Sequence, residues 1–402
     1  MAGNRLRLLF VTDEAGWPQD SGYRQRVRHL LLALGRVADV DVLLVRAHAV
    51  LPAPEGLVRS THWAPPTRRP LRNALLAWAR GIGPWVVVSQ DWTAAEDRLR
   101  TLGTGGYGLI WFEHPELWTA LRHLAGGAPV VLDLDNVMSV VLARSARLRP
   151  RWKRLLDAWD VVQWRRVEQL AVREVDAVAV CSERDRDLLG GRTTVIPNGY
   201  SRSPSVSPWR PPAVAVLCFV GLLHYLPNTD AVEWFARRIL PRIRQDRPGT
   251  RFRVVGDAAG STRIGALADL PGVDLTGRVN DLASELLTSS AVVVPLRSGG
   301  GTRIKVLEAF AFGIPVVSTS IGCEGLVVED GKHLLVADDA DSFVKACLTL
   351  IDRPELATRL VQAAAELHAD RYDWGRIEAD VEALALAHIT EIGGPPRTIR
   401  RC

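Results

Sequence analysis

The chain has 402 residues, of which 47% are hydrophobic and 24% are charged, and this balance excludes extensive disorder or low complexity. The formal net charge of +5 is too small at this length to indicate nucleic-acid binding by itself. At about 150 residues per domain, the length predicts two or three domains.

The cysteines are odd in number, widely spaced and free of any CxxC pair. They therefore argue against a disulfide framework or a zinc site, and they are typical of buried thiols in a reducing compartment. The segment before the first apolar run is too short for a signal peptide, and no apolar run approaches the roughly 18 residues that a membrane-spanning helix needs. We expect a cytoplasmic protein that is able to touch the inner face of a membrane.

The first half of the chain alternates short apolar runs with helical stretches, which is the pattern of a parallel α/β sheet. Strands are predicted at Arg7–Thr12, Val40–Val45, Gly108–Phe112, Val130–Leu134 and Ala177–Cys181. A helix is predicted to begin near Tyr23, just after the glycine loop Ser21-Gly22, because the apolar residues that follow repeat on one helical face.

A stretch rich in serine and proline, Ser201–Ala213, has no periodicity and is predicted to be a linker. After it the alternation of strands and helices begins again. The strands predicted there are Ala213–Val220, Phe252–Val255, Ala291–Pro295, Pro315–Thr319 and His333–Val336. Two α/β halves joined by one linker predict a two-domain protein with a cleft between two parallel sheets, and ligands of such sheets bind at the carboxyl ends of strands.

The segment Arg149–Leu170 is rich in arginine and tryptophan and has a helical period. Its expected buried stripe consists of Leu155, Leu156, Trp159, Val162, Val167 and Leu170. A helix packed on the first domain and a helix in contact with a membrane surface are both open interpretations, whereas no recognition motif supports nucleic-acid binding. The shorter basic helix predicted within Thr67–Gly83 has the same alternatives.

The most informative segment, Val292–Leu326, is predicted to be a strand, a glycine loop, a helix and a second strand. The loop glycines are Gly299, Gly300 and Gly301, and their backbone can approach a ligand closely. A helix that begins near Thr302 directs free N–H groups and its positive dipole end toward that loop, so an anion such as a diphosphate is the expected guest.

Arg303 and Lys305 add positive charge at the helix start, where cations oppose the dipole unless an anion binds there. Lys305 is also one of only four lysines, against 46 arginines. Glu308 follows one turn later and could accept hydrogen bonds from the vicinal hydroxyls of a ribose. The alternative is a surface arginine and a simple ion pair between Lys305 and Glu308.

With these segments in view, the chain resembles the retaining glycosyltransferases of family 4, also described as glycosyl transferases group 1. The ordered segments that carry the resemblance are the Ser21-Gly22 loop, VCSERDRDLL, VIPNGY, FVGLLHYLPNTDAVEWF, FRVVGD, GRVNDL, PLRSGGGTRIKVLEAFAFGIPVV and the terminal YDW. The resemblance implies the GT-B fold, with two facing Rossmann-like domains, a cleft between them and a C-terminal helix that crosses back. Its domains would be 1–200 on the acceptor side, the linker 201–213, 214–374 for the nucleotide sugar, and 375–402 for the crossover helix and tail.

The family implies transfer of a sugar from a nucleotide-diphosphate donor, most often a UDP- or GDP-sugar, to a glycan, lipid-linked or small-molecule acceptor. Neither a cofactor nor a metal is expected. Glu308 matches the second glutamate of the E-x7-E motif, which holds the ribose, while Gly221 and Gly22 match backbone positions near the phosphates. Asn198 of VIPNGY is a further candidate in the family pattern.

Three departures from that pattern stand out. The first motif glutamate falls on Gly300, and the Arg and Lys that often follow the strand glycine are absent, where Leu222, Leu223 and Asn228 stand instead. The family histidine near the sugar falls on Asp135. Asp135 and its neighbour Asn136 can still bind sugar hydroxyls, and His114, at another strand end, is a second candidate.

The departing diphosphate needs positive groups that stand ready in the site. The chain has no DxD triplet and its nine histidines are scattered, so Arg303 and Lys305 are the predicted catalytic cations beside Asp135. Arg24, just after the Gly22 loop, could join them when the domains close. These assignments predict activity that persists in EDTA.

Three other functions are conceivable. A sugar-nucleotide 2-epimerase shares the fold but needs acid–base carboxylates that the absent first glutamate does not supply. A membrane-surface or nucleic-acid-binding module would use the two basic helices and leave the glycine loop and Glu308 unexplained. A dinucleotide oxidoreductase is disfavoured because no G-x-G-x-x-G follows the first strand.

Overall fold

The computed structural model describes residues 6–18, 22–45, 52–146, 149–201, 210–258, 260–299 and 303–390. These residues form an N-terminal unit, Met1–Pro197 with Ile377–Cys402, and a C-terminal unit, Asn198–Arg376. Several predicted features lie outside the described residues: Ser21, Gly300, Gly301, Thr302, the linker residues 202–209 and the tail 391–402.

The N-terminal unit is built on a seven-stranded parallel sheet of order β3-β2-β1-β6-β7-β8-β9, with a small antiparallel ribbon formed by β4 and β5. The strands are β1 Arg7–Thr12, β2 Asp39–Leu44, β3 Ser60–Trp63, β4 Thr67–Arg68, β5 Gln90–Asp91, β6 Leu109–Glu113, β7 Val130–Leu134, β8 Ala177–Val180 and β9 Thr193–Val195. The helices are α1 Gly22–Val37, α2 Leu71–Ala79, α3 Trp85–Val88, α4 Thr93–Leu102, α5 Pro115–Leu121, α6 Met138–Ser145, α7 Arg151–Glu174 and α8 Glu183–Leu189. The central strands are continuous apolar runs because they are covered on both faces.

The C-terminal unit has a six-stranded parallel sheet of order β12-β11-β10-β13-β14-β15. Its strands are β10 Val216–Val220, β11 Arg251–Val255, β12 Val273–Gly277, β13 Ala291–Val294, β14 Val316–Ser318 and β15 Leu335–Val336. Its helices are α9 Leu226–Trp234, a π-helical continuation Phe235–Ile239, α10 Leu240–Asp246, α11 Thr262–Gly265, α12 Leu282–Leu287, α13 Ile304–Ala311, α14 Ala340–Asp352 and α15 Pro354–Arg371.

The last helix, α16 Trp374–His388, begins in the C-terminal unit and belongs to the N-terminal unit from Ile377 onward. Within the N-terminal unit, Glu378 accepts hydrogen bonds from Arg36 at 2.5 Å and lies 2.7 Å from the His29 ring nitrogen. The backbone N–H of Thr390 donates to the carbonyl of Gly108. These contacts fix α16 to α1 and to the start of β6, and they agree with the crossover helix of the GT-B fold.

Every strand expected from an apolar run is present, with ends shifted by a few residues. The sequence analysis missed the edge strands β3, β9 and β12. It also missed the two-residue strands β4 and β5, of which β4 lies within the segment Thr67–Gly83 where only a helix was predicted. Edge strands are covered on fewer sides, so they need no continuous apolar run. Their residues are accordingly only partly buried over most of their length.

The buried stripe expected on α7 was partly wrong. Leu155 and Leu156 are 77% and 48% exposed, and Val162 is 37% exposed, whereas Val167 is buried as expected. Helical period fixes which residues share a face, but only tertiary packing decides what covers that face. Among the described residues, no helix is both long enough and apolar enough to cross a membrane.

Candidate functional site

A compact group of polar side chains lies at the carboxyl edge of the C-terminal sheet. Gly221 follows β10, and a Cβ atom there would lie 2.8 Å from the Asn228 amide nitrogen and 3.0 Å from Lys305 Nζ. Asn228 is held in place because its amide nitrogen donates to the Leu222 carbonyl at 2.9 Å. Only a glycine at 221 leaves the room that brings Asn228 and Lys305 against the end of the strand.

Lys305, in the first turn of α13, points back toward this strand end. Its Nζ donates to Asn228 Oδ1 at 2.8 Å and lies 4.2 Å from the centre of the Phe219 ring. Burial, with a smaller contribution from nearby Arg303, lowers the pKa of Lys305 to about 7. A carboxamide and an aromatic face are weak partners for a cation, so the site favours an added anion.

Glu308 lies one helical turn further along α13. Burial raises the pKa of its carboxyl to about 7, and Lys305 opposes that shift. Within the described part of the chain, its carboxylate has neither a hydrogen-bond partner nor an ion-pair partner, so the simple pair with Lys305 is not formed. The carboxylate is available to accept hydrogen bonds from a ligand.

Arg303 is the residue immediately before α13, and it is 5% exposed. Its Nε donates to the carbonyl of Ile321 at 3.0 Å, and its guanidinium lies 3.2 Å from a Cβ built at Gly299. Gly299 has φ of +118°, a conformation that side chains rarely adopt. Arg303 therefore packs against Gly299 and brings positive charge to the start of α13.

The N-terminal unit has its own polar cluster at the carboxyl ends of β1, β6 and β7. Buried Arg26 of α1 donates to both carboxylate oxygens of buried Asp133, at 2.7 and 3.1 Å, and also to two backbone carbonyls. Two residues later Asp135 accepts from the Asn136 amide at 2.8 Å and from the Cys181 thiol at 3.3 Å. The predicted sugar-binding Asp135 thus follows a strand that is anchored by an arginine the sequence analysis did not single out.

On β6, next to the strand that carries Asp133, Glu113 accepts hydrogen bonds from Thr12 at 2.9 Å and from the Tyr23 hydroxyl at 3.3 Å. Burial raises the pKa of Glu113 to about 8. Tyr23 also donates to Asp13. Burial and the two carboxylates raise the pKa of Tyr23 well above its usual value, so its hydroxyl stays protonated as a donor.

His114 stacks on the ring of Tyr23, with centroids 4.8 Å apart and planes 16° from parallel. Its φ of +77° makes it the single non-glycine residue with positive φ in the described part of the chain, and such strain costs about 1–3 kcal/mol and concentrates at functional sites. Burial disfavours its charge, yet Asp13, 3.4 Å away, and neighbouring acids raise the pKa of His114 well above its usual value. The alternative candidate of the sequence analysis therefore lies in a charged network.

Asp13, His114 and Glu116 could hold a metal ion, since one donor atom from each lies within 4.8 Å of the others. The ion would require His114 to lose its proton, whereas the surrounding carboxylates favour the protonated ring. The arrangement suits an ion-paired imidazolium better than a metal centre.

A cavity of about 1320 Å³ opens beside Asp13 in the N-terminal unit. Its polar lining includes Glu14, Gln90 and Arg24, and the last donates to Glu14 at 2.9 Å. Exposed Trp63 and half-buried Trp85 add flat apolar faces. Aromatic faces with nearby carboxylate, amide and guanidinium groups form a surface that could bind a polyhydroxylated molecule.

The predicted residues thus fall into two groups. In the C-terminal unit, Gly221, Lys305 and Glu308 surround one strand end, with Gly299 and Arg303 nearby, while Asn198 is buried at the start of that unit. In the N-terminal unit, Gly22 opens α1 and Arg24 lines the cavity. The residues missed were Asp13, Tyr23, Arg26, Glu113 and Asp133; acidic residues at the ends of neighbouring parallel strands were the signal that could have indicated three of them.

Comparison with known proteins gives a consistent result. Residues 214–353 match the family model described as Glycosyl transferases group 1. The chain is similar to the glycogen synthase of Mycobacterium tuberculosis, with 26% identity and 95% of each chain covered.

Solved structures with low sequence identity share the fold. Sucrose-phosphate synthase from Thermosynechococcus elongatus superposes with a TM-score of 0.70 at 16% identity, over 95% of this chain and 99% of that one. Anabaena HepE, in complex with UDP and glucose, gives a TM-score of 0.65 at 17% identity, with the same coverage. At such identities the likeness concerns the fold.

Proposed function

We propose that the chain is a glycosyltransferase of group 1, on the basis of the family match over residues 214–353 and the shared fold. It would move a sugar from a nucleoside-diphosphate donor to a hydroxyl acceptor, with retention at the anomeric carbon and without a metal ion. The observation that carries the proposal is the group formed by Gly221, Asn228 and Lys305 at the end of β10, with Glu308 one turn further along α13. It combines a close backbone approach, a cation with weak partners and an available carboxylate.

Glu308 is proposed to hold the ribose. Glu308 lies in the second turn of α13. Burial keeps the pKa of its carboxyl high, so hydrogen bonds from two hydroxyls would stabilise its ionised form. Losing that acceptor would leave ribose hydroxyls unsatisfied, at a cost of about 1–3 kcal/mol.

Lys305 and Arg303 are proposed to stabilise the diphosphate. When the bond between the anomeric carbon and the diphosphate oxygen breaks, negative charge grows on the leaving group. The acceptor oxygen bonds to that carbon and transfers its proton to an oxygen of the departing diphosphate. Lys305 at the strand end and the N–H groups at the start of α13 are positioned to meet this charge. UDP-sugars are the first donors to test, because HepE is described in complex with UDP and glucose, and GDP- and dTDP-sugars come next.

In the N-terminal unit, the cavity is proposed to receive the acceptor, and Asp135 or Asn136 to contact the transferred sugar. Asp135 stands at the end of β7, where Asn136 and Cys181 orient its carboxylate. Replacing Asp135 by Asn preserves shape and removes charge, so it should lower turnover or change sugar preference, while the exposed Asp187→Asn is a matched control. If turnover and preference survive both Asp135→Asn and Asp135→Ala, His114 becomes the better candidate.

The 2-epimerase is a second candidate because buried Glu113 and half-buried His114 are neighbouring acid–base groups with raised pKa values. Incubation with UDP-N-acetylglucosamine alone separates the two functions. An epimerase would form the isomer without an acceptor, whereas a transferase would leave the sugar configuration unchanged.

The four described cysteines are buried and free. Buried free thiols support our proposal that the enzyme works in the reducing environment of the cytoplasm.

The proposal is tested first by thermal unfolding in the presence of UDP-, GDP- and dTDP-sugars. A donor at 100 times its Kd should stabilise the protein by about 2.7 kcal/mol. Glu308→Ala should lose much of that stabilisation, whereas exposed Glu355→Ala on α15 should keep it. Absence of stabilisation by every nucleotide sugar would contradict the proposal.

Once a donor is known, NMR of the product's anomeric proton tests retention. The reaction should also proceed in EDTA. An inverted product or full dependence on a divalent ion would overturn those parts of the proposal.

A further inference from the structure

Large apolar side chains are exposed on two neighbouring helices of the N-terminal unit, α2 and the first half of α7, and in the turn that follows α2. We call this surface the α2–α7 face, and it consists of Leu71, Leu75, Leu76, Ile82, Trp152, Leu155 and Leu156. Its members are far from marginal, since Leu71, Trp152 and Leu155 are 65%, 65% and 77% exposed. A contiguous apolar surface of this kind on a folded protein indicates a binding surface.

The two apolar rows diverge from one helix–helix contact. Trp159 of α7 donates its indole N–H to the carbonyl of Trp78 at 2.9 Å, and Trp78 donates its own to Asp160 of α7 at 2.9 Å. Helical spacing of three, four and seven residues places Leu71 and Leu75 on the face of Trp78. The same spacing places Trp152, Leu155 and Leu156 on the face of Trp159.

At 1.5 Å of rise per residue, each row extends about 10 Å from the shared contact. The far ends of the two rows are therefore at most about 20 Å apart. Nothing in the described part of the N-terminal unit covers them, because their side chains remain exposed.

The charge around these rows is mostly positive, and the nearest carboxylates along α7 are Asp157, which pairs with Arg149, and Asp160 at the contact with α2. Residues 67–82 contain four arginines and no carboxylate, and residues 149–156 contain three arginines, one lysine and no carboxylate. Together these short segments carry more positive charge than the net +5 of the whole chain. Leucine and tryptophan flanked by arginine and lysine match the boundary between headgroups and acyl chains in an anionic membrane.

The α2–α7 face also meets the edge of the proposed acceptor cavity. Leu71 is exposed and lines that cavity, together with Arg68 and Arg69 just before α2. A surface pressed against this face would lie at the cavity's edge.

We propose that the α2–α7 face docks on an anionic lipid bilayer, with its leucines and tryptophan in the interfacial layer and its cations on the headgroups. Resting on the proposed function, this implies that the acceptor is presented from the membrane, as a lipid-linked molecule whose polar end reaches the cavity. A second copy of the chain is the poorer occupant, because it would bring two strongly cationic surfaces together. A nucleic acid would leave the exposed leucines unexplained.

Flotation of the full chain with vesicles tests the proposal. The protein should float with vesicles of equal parts phosphatidylglycerol and phosphatidylcholine, should bind pure phosphatidylcholine much more weakly, and should detach as ionic strength rises. Leu75→Ser with Leu155→Ser should weaken binding at least about tenfold, whereas Leu188→Ser with Leu386→Ser, an equally exposed pair in the same unit, should not.

A double variant that removes two cations measures the electrostatic contribution to vesicle binding separately from the apolar one. Arg72→Gln with Lys153→Gln should weaken binding to anionic vesicles about 30-fold, at roughly one headgroup interaction lost per cation, while Arg98→Gln with Arg173→Gln should leave it unchanged. All four double variants should bind UDP, or the nucleotide found in the donor screen, as the wild type does. If the wild type binds no nucleotide at all, the proposed function is wrong, whereas the result on membrane docking still stands.

Three results would overturn the docking proposal. The first is failure of the wild type to bind anionic vesicles. The second is equal vesicle binding by the wild type and by both variants of the α2–α7 face, Leu75→Ser with Leu155→Ser and Arg72→Gln with Lys153→Gln. The third is that the wild type forms a concentration-dependent dimer, or a complex with duplex DNA or RNA, and does not bind vesicles. The variant with Leu75→Ser and Leu155→Ser would then not form that dimer or complex.

Discussion

The buried cations in the polar clusters of the two units have different kinds of partner. In the N-terminal unit, Arg26 forms an ion pair with Asp133, and Glu113 accepts hydrogen bonds from Thr12 and Tyr23. In the C-terminal unit, Lys305 meets a neutral amide and an aromatic ring. A buried ion pair such as Arg26 with Asp133 is satisfied within the protein and stabilises the fold, whereas a cation with neutral partners gains most when a ligand arrives.

The pKa shifts separate the two buried cations, Arg26 and Lys305, but not the acids, because burial also raises the pKa of Glu113 in the N-terminal cluster, to about 8. The pKa of Arg26 is raised because Asp133 and other acids outweigh the burial that would lower it. Burial instead moves the pKa values of Lys305 and Glu308 toward neutrality, to about 7 in each case. We therefore expect substitutions in the first cluster to affect mainly stability, and substitutions in the second to affect mainly the handling of the donor.

The largest expected effect is on the stability of the N-terminal unit. Arg26→Ala leaves the Asp133 carboxylate buried without its partner and should lower the free energy of unfolding by about 3–5 kcal/mol. Arg24→Ala, two residues away, removes a partly exposed pair with Glu14 and should cost at most about 1 kcal/mol. Urea unfolding of both variants measures the difference, and equal losses would show that the N-terminal cluster is not the anchor described.

In the C-terminal unit the expected loss is in catalysis. Lys305→Ala should fold normally and lower kcat by about 10²–10³, since a preformed donor to the leaving group is worth that much. Its effect on the donor KM should be smaller, because the charge that Lys305 meets grows in the transition state. Exposed Lys345→Ala on α14 is the matched control, and steady-state kinetics that show only a KM effect for Lys305→Ala would refute this role.

A smaller effect concerns pH. A diphosphate favours protonated Lys305, so the pKa of Lys305 should rise on binding. The contribution of Lys305 to donor affinity is then complete below pH 7 and falls, by up to about 1.4 kcal/mol per pH unit, as pH rises from the free pKa toward the bound one. Near pH 8 Glu308 is already ionised, so binding should take up a proton. Calorimetry in two buffers of different ionisation enthalpy measures this uptake, which should vanish in Lys305→Ala; uptake that persists in the variant would assign it to another group.

The sequence predicted the parts of the fold that depend on local pattern. The buried strands of both sheets and the helix after the glycine loop follow directly from apolar runs and from glycine chemistry. Lys305 and Glu308 lie three residues apart in one segment, so their common site was visible in the sequence.

The N-terminal cluster could not be found in the same way. Tyr23, Glu113 and Asp133 come from separate segments, and only the neighbouring positions of β1, β6 and β7 bring them together. The face of α7 that carries Leu155 was misassigned because periodicity does not reveal where the packing against a helix ends. Predicting these features requires the tertiary arrangement.

The claim that the C-terminal cluster binds a nucleoside diphosphate is tested most directly by calorimetric titration of three ligands: the best-binding nucleoside diphosphate, its monophosphate and its 2′-deoxy form. The wild type should prefer the ribose diphosphate over both others. Glu308→Ala should lose the preference over the deoxy form alone, and Lys305→Ala should lose the preference over the monophosphate alone. Unchanged preferences in both variants would contradict the account, and so would a loss of both preferences in each.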